Sequence, residues 1–124
     1  MKYVRPEPIT RSEAEEAFAS GDTQRICRAL VSVALYDQDL SWAQSQCVRM
    51  SQHESVEVRR VAAYCLADLA RLHGRIEEAS AKDALVRLLS DPETEGEALD
   101  VLDDFQTYLG WKPHQVESLL ATAA

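Results

Sequence analysis

Apolar residues recur along this chain at steps of three and four, the spacing expected of helices that bury one face. Two of these apolar stripes are Ile26, Leu30, Val33 and Ala34, and then Leu40, Ala43, Cys47 and Met50. No stretch sustains the alternation of apolar and polar residues that is typical of a half-buried strand. The pattern therefore predicts an all-α protein.

Capping residues and glycines divide the chain into six to seven predicted helices. Residues 1–9 are expected to form an extended lead-in, because Pro6 and Pro8 disfavour helix. Thr10 or Ser12 then caps a short first helix that ends at Gly21. The later helices are predicted at about 23–36, 40–51, 56–73, 78–90, 94–109 and 113–121. Connections this short imply that neighbouring helices are antiparallel.

The longer predicted helices each carry a set of residues expected to face the core. These sets are Val58, Val61, Ala62, Cys65, Leu66, Leu69 and Leu72, then Ala81, Leu85, Leu88 and Leu89, and then Ala98, Val101, Leu102, Phe105 and Leu109. Trp111 is predicted to anchor the C-terminal part by packing. The three cysteines also lie among apolar helical positions, so we expect core residues and no disulfide framework.

Two segments, residues 53–70 and 91–105, resemble each other and begin about 38 residues apart, close to the period of about 40–47 in HEAT and armadillo repeats. In the first, Val58-Arg59 resembles the Val-Arg pair of a HEAT repeat, and Asp91-Pro92 resembles the Asp-Pro turn of the next one. The second segment departs from the family, since Glu97 and Ala98 replace the Val-Arg pair. A plain helical bundle with coincidental spacing is the alternative.

The resemblance implies an αα-superhelix with a repeat core at about residues 38–109, inside a single domain that spans residues 1–124. Proteins of this class act by binding other macromolecules. Catalytic motifs are absent: His53, His73 and His114 are scattered, and no Cys-x-x-Cys pair or glycine-rich phosphate loop occurs. We therefore predict a protein that is not an enzyme and holds no cofactor or metal ion.

Charge narrows the choice of partner. The chain has 21 acidic and 13 basic residues and a formal net charge of −8, which repels nucleic acid and anionic membranes and attracts basic proteins. No apolar stretch approaches the roughly 20 residues that span a bilayer, and the first eight residues lack the apolar core of a signal peptide. We predict a cytoplasmic protein with a basic protein partner. A monomer is favoured, although homodimerisation through exposed stack edges remains open.

Acidic residues are concentrated in the sixth predicted helix and its preceding turn. Residues 91–104 contain seven of them and no Lys or Arg. In a superhelix, the second helix of each pair lines the concave face, so acids of the sixth helix would adjoin the polar face of the fourth. The candidate partner-binding residues are Trp42, Glu57, Tyr64, Asp68, Glu97, Asp100, Asp103 and Asp104. The acidic residues are explained equally well as a solvated face that keeps the protein soluble. The position of Trp42 is also explained by packing against the N-terminal helices.

The combination of a small helical repeat with an acidic face is similar to small HEAT-like immunity proteins of contact-dependent growth inhibition systems. That resemblance implies a toxin domain as partner, and a nuclease-like toxin would be basic because it must hold nucleic acid. One alternative is a HEAT-like scaffold or adaptor with a mixed interface. A less favoured alternative is a lyase-like accessory protein, which requires a pocket with paired functional groups.

Overall fold

The computed structural model describes residues 6–124, and this range folds into seven α-helices without a strand. They are α1 (Arg11–Ala19), α2 (Thr23–Tyr36), α3 (Leu40–Met50), α4 (Val56–His73), α5 (Glu78–Leu89), α6 (Glu95–Leu109) and α7 (Pro113–Ala123). The all-α prediction is confirmed. Of the predicted lead-in, residues 1–5 lie outside the described part, and residues 6–10 are not helical.

The helices pack as three consecutive pairs, α1 with α2, α3 with α4 and α5 with α6, and α7 packs on α5. The second helices of the pairs form one row, in which α4 lies between α2 and α6. The first helices form the other row, with α5 between α3 and α7. This two-row arrangement is the one expected of a helical-repeat superhelix.

Local sequence accounts for most helix starts. Thr10 and Glu13 form a reciprocal capping box at α1, in which each side chain accepts the other residue's backbone N–H at 2.9–3.0 Å. The Asp22 and Asp39 side chains accept backbone N–H groups at the starts of α2 and α3. Ser55 occupies the N-cap position of α4, although its side chain makes no cap hydrogen bond.

Glycines end α4 and α6, as predicted. Gly74 and Gly110 have φ values of 67° and 69°, in the left-handed region where a side chain is strained. After Gly110 the chain turns back, and the Trp111 ring packs edge-on against Phe105 with 5.0 Å between the ring centroids. Trp111 is buried and therefore anchors this end of the fold by packing.

Buried apolar residues from all seven helices form one continuous core. Most of the residues predicted to face inward are buried, and Val61 and Leu109 are half-buried. Leu72 is the exception, because 46% of it is exposed. It lies eight residues after Tyr64 and four after Asp68, so it belongs to their solvent-facing stripe on α4. The three-residue step from Leu69 to Leu72 predicts that Leu72 faces the core, and this prediction is wrong.

Gln44 joins the second helical pair to the third. This fully buried side chain donates from Nε2 to the Glu77 carbonyl and to Ser80 Oγ, both at 2.7 Å, and its Oε1 accepts the Glu77 N–H at 2.8 Å. All three of these hydrogen bonds of the Gln44 amide therefore go to the start of α5. The contact fixes where α5 begins relative to α3.

Arg59 joins the turns that precede α4 and α6. Its Nη1 donates to the carbonyls of His53 and Glu54, both at 2.9 Å, and its Nη2 lies 3.4 Å from a carboxylate oxygen of Asp91. These two residues are the arginine of the Val-Arg pair and the aspartate of the next Asp-Pro turn. The ion pair therefore links two successive repeats, although the second repeat lacks its own arginine.

Candidate protein-binding surface

Helices α4 and α6 run side by side in the same direction. Arg60 Nε lies 3.3 Å from a carboxylate oxygen of Glu97, and one turn further along α4 the Tyr64 hydroxyl donates to Asp100 at 3.3 Å. The contacts advance together on both helices, which shows that the helices are parallel. Tyr64 and Asp100 are 36 residues apart, and this separation defines the register between the two helices.

We call the exposed strip along these helices the α4–α6 surface. It is formed by Arg60, Tyr64, Asp68, Glu97, Asp100 and Asp104. Five of the eight candidate residues predicted from the sequence are thereby brought together. Their common position follows from the packing of α4 on α6.

Asp68 is a half-buried carboxylate of this surface. Burial raises its pKa above the usual value, the hydrogen bond from Arg71 at 3.3 Å opposes that shift, and the negative charge of Asp104 adds to it. The ionised Asp68 therefore destabilises the free protein, and a cation placed beside Asp68 and Asp104 would relieve that cost.

Tyr64 presents an aromatic ring in the middle of these acids, with 46% of the residue exposed. Its pKa is raised, first by desolvation and then by the charges of Asp100 and Glu97, so the phenol keeps its proton and its hydroxyl remains a donor. An exposed tyrosine held by a hydrogen bond loses little entropy when it is covered, which suits a protein contact.

Two arginines that were not among the predicted site residues alter the charge of this surface. Arg60 pairs with Glu97 and also donates to the Glu93 carbonyl at 3.0 Å, and Arg71 pairs with Asp68. Asp100 and Asp104 have no ion pair within residues 6–124. The free negative charge of the surface is therefore concentrated on α6. Both arginines are in the polar stripe of the fourth predicted helix. Arg71 engages Asp68 on its own helix, whereas only the placement of α6 shows that Arg60 engages Glu97.

The other three candidate residues lie elsewhere. Glu57 is on the first turn of α4, near Cys27 of α2, whose pKa is raised first by burial and then by the charge of Glu57. Asp103 is exposed on α6. Trp42 is half-buried beside the N-terminal segment, with the Arg11 guanidinium 4.5 Å from its ring centroid. This position agrees with the packing explanation of Trp42.

A cleft of about 520 Å³ lies between the N-terminal segment, α1 and α2, and its lining includes Ile9, Arg25 and Arg28 but no residue of α4 or α6. The α4–α6 surface is thus an open strip rather than part of that cleft. Across residues 6–124, no group of three or more His, Cys, Asp or Glu side chains is arranged to hold a metal ion. None of the helices in that range has both the length and the apolar character needed to cross a membrane.

Comparison with known proteins shows a likeness to a family model and to a solved structure. The family model of the HEAT repeat matches residues 44–73. A chain in the crystal structure of a CDI complex from Cupriavidus taiwanensis LMG 19424 superposes with a TM-score of 0.74 and 30% sequence identity, over 87% of this chain and 97% of that one. The present chain belongs to the same HEAT-like helical family as that chain of the CDI complex. No curated protein gives a significant match.

The HEAT-repeat match lies on the pair formed by α3 and α4. This is the pair that carries the Val-Arg signature and supplies Arg59 to the ion pair with Asp91. In the next pair, Glu97 on α6 binds Arg60 of α4. The predicted HEAT-like resemblance is confirmed, and both likenesses point to a non-catalytic binding protein.

Proposed function

We propose that this chain is an immunity protein that binds a basic, nuclease-like toxin domain through the α4–α6 surface and thereby neutralises it. The observation that carries the proposal is the likeness to a chain of a CDI complex, which extends over nearly the whole of both chains at 30% identity. A relative that was crystallised within a complex supports binding to another protein as the role of this scaffold.

The charge of the surface supports the nature of the partner. A nuclease domain needs Lys and Arg side chains to hold phosphates, and a protein with a net charge of −8 attracts such a domain over a distance. Asp100 and Asp104 are available for intermolecular ion pairs, because no cation engages them within the described residues. Tyr64 offers an aromatic contact beside Asp100.

The remaining features of the proposal follow from this role. The protein acts as a monomer and a single domain in the cytoplasm. There it binds the toxin domain and catalyses no reaction. Glu57 and Asp103 flank the contact. Trp42 is engaged by Arg11 on another part of the molecule, so we leave it out of the proposed interface.

A protection assay tests the proposal. The probe is the toxin domain encoded beside the gene for this chain, expressed in cells with and without the chain. Wild-type protein should restore growth, and the double variant Asp100→Asn/Asp104→Asn should protect poorly because its two free carboxylates are neutral. The matched control is Asp83→Asn/Glu117→Gln, which removes the same charge from exposed positions on α5 and α7 and should protect fully. The absence of a neighbouring toxin gene, or of protection by the wild type, would refute the proposal.

A HEAT-like scaffold or adaptor is the second candidate. It is favoured by Leu99 and Leu120, two exposed leucines that line a small groove between α6 and α7. Such a scaffold would bind through apolar contacts at that edge. Binding that survives neutralisation of Asp100 and Asp104 but is lost in Leu99→Ser would favour it over immunity.

A further inference from the structure

Two large apolar side chains are exposed at the C-terminal end of the α4–α6 surface. Leu72 on α4 is 46% exposed and Tyr108 on α6 is 45% exposed. Each lies four residues beyond an aspartate of the surface, Leu72 after Asp68 and Tyr108 after Asp104. Side chains four residues apart share a helix face, so both extend the same exposed strip.

The register of the two helices places Leu72 and Tyr108 at the same level. They are 36 residues apart, as are the hydrogen-bonded partners Tyr64 and Asp100. The glycines that end the two helices, Gly74 and Gly110, have the same separation and nearly the same φ. The apolar pair therefore lies about 6 Å beyond the level of Asp68 and Asp104 along the helix axes.

Nothing in the described fold covers this apolar end, since α7 packs on α5 in the other row of helices. Scattered exposed apolar residues are ordinary, but this pair is continuous with a strip of carboxylates and the Tyr64 ring. Apolar and aromatic side chains beside charged ones form the usual arrangement of a protein interface. The strip thus combines an acidic middle with an apolar end.

We propose that Leu72 and Tyr108 are the apolar part of the partner-binding surface, and that the toxin segment contacting them carries an apolar side chain next to a Lys or Arg that faces Asp68 and Asp104. The inference rests on the proposed immunity function. Charge complementarity selects this occupant over a second copy of the chain, because a symmetric contact would bring two sets of these aspartates together, each on a protein of net charge −8.

Calorimetric titration with a catalytically inactive form of the neighbouring toxin domain tests the inference. Leu72→Ser and Tyr108→Ser should each weaken binding by about tenfold, equivalent to about 1.4 kcal/mol, without changing its dependence on salt. The matched controls are Leu99→Ser and Leu120→Ser, which are 42% and 38% exposed in the wild type, and these should bind within about twofold of it. Because all four side chains are exposed, the variants should fold, and circular dichroism checks that they do.

The outcomes separate the two proposals. If the wild type binds and Asp100→Asn/Asp104→Asn weakens binding, but Leu72→Ser and Tyr108→Ser bind like the wild type, the apolar contact is refuted and the immunity function stands. If the wild type does not bind the toxin domain, the immunity function fails and the inference fails with it. A wild-type dimer that Leu72→Ser converts to a monomer would assign the apolar pair to self-association and overturn the inference.

Discussion

Removal of the Gln44 side chain should destabilise the whole fold, because one buried amide positions α5 against α3. Gln44→Ala deletes three hydrogen bonds of 2.7–2.8 Å to Glu77 and Ser80. At about 1 kcal/mol for each net hydrogen bond, the loss is about 3 kcal/mol, and the small cavity that remains adds to it. For a chain of 124 residues, each kcal/mol lowers Tm by about 4 °C, so we expect a drop of about 12 °C.

Urea and thermal unfolding followed by circular dichroism measure this loss. Gln44→Glu separates the hydrogen bonds from the cavity, because the carboxylate fills the same space but cannot donate to the Glu77 carbonyl. It should therefore be at least as destabilising as Gln44→Ala. Gln24→Ala, which truncates an exposed glutamine on α2, is the control and should change stability by less than about 0.5 kcal/mol. A Gln44→Ala variant as stable as this control would refute the account of how the repeat pairs are joined.

Three further predictions concern the free protein. Arg59→Ala should lower the free energy of unfolding by about 2–3 kcal/mol, because two turn carbonyls lose a charged donor and Asp91 loses its ion pair; urea unfolding checks this, and a loss below about 0.5 kcal/mol would contradict it. Gly110→Ala should lower the free energy of unfolding by about 1 kcal/mol. The whole loss is due to backbone strain at φ 69°, since an added Cβ meets no atom within 4 Å. An unchanged Tm would contradict this. Because the pKa of Asp68 is raised in the folded protein, the folded state binds a proton at Asp68 more tightly than the unfolded chain does. The stability that this proton adds is complete below the unfolded pKa of about 3.9 and is lost as pH rises through the folded pKa. Asp68→Asn should therefore stabilise the protein by a few tenths of a kcal/mol at pH 7 and by less below about pH 4; unfolding measured across this pH range tests the sign, with Asp83→Asn as control, and destabilisation at pH 7 would refute it.

The helices were predictable from the sequence because their ends depend on local chemistry. Asp22 and Asp39 cap helices through their own side chains, and Gly74 and Gly110 end them through their backbone freedom. The apolar stripes are equally local, since a period of 3.6 residues places them on one face. Leu72 shows the limit of periodicity, because a residue can follow Leu69 at a three-residue step and still share the solvent-facing stripe of Tyr64 and Asp68.

The site was predictable only in part. The sequence indicates which residues of α4 and α6 face away from the core, and it therefore placed Tyr64 and Asp100 among the candidates. It does not contain the register between the two helices, which depends on the lengths of α5 and its turns. For that reason the pairing of Arg60 with Glu97 and the exposed pair of Leu72 and Tyr108 became apparent only in the fold.

The rate at which this chain associates with the neighbouring toxin domain, measured against salt concentration, tests the central claim most directly. The account predicts that the wild-type association rate falls at least about tenfold between about 50 and about 500 mM salt, because screening removes the attraction between an acidic strip and a basic domain. Asp100→Asn/Asp104→Asn should associate more slowly at low salt and depend less on it, while Asp83→Asn/Glu117→Gln should follow the wild type closely. An association rate that is independent of salt, or equal in the two double variants, would contradict the claim that the α4–α6 surface binds a basic partner.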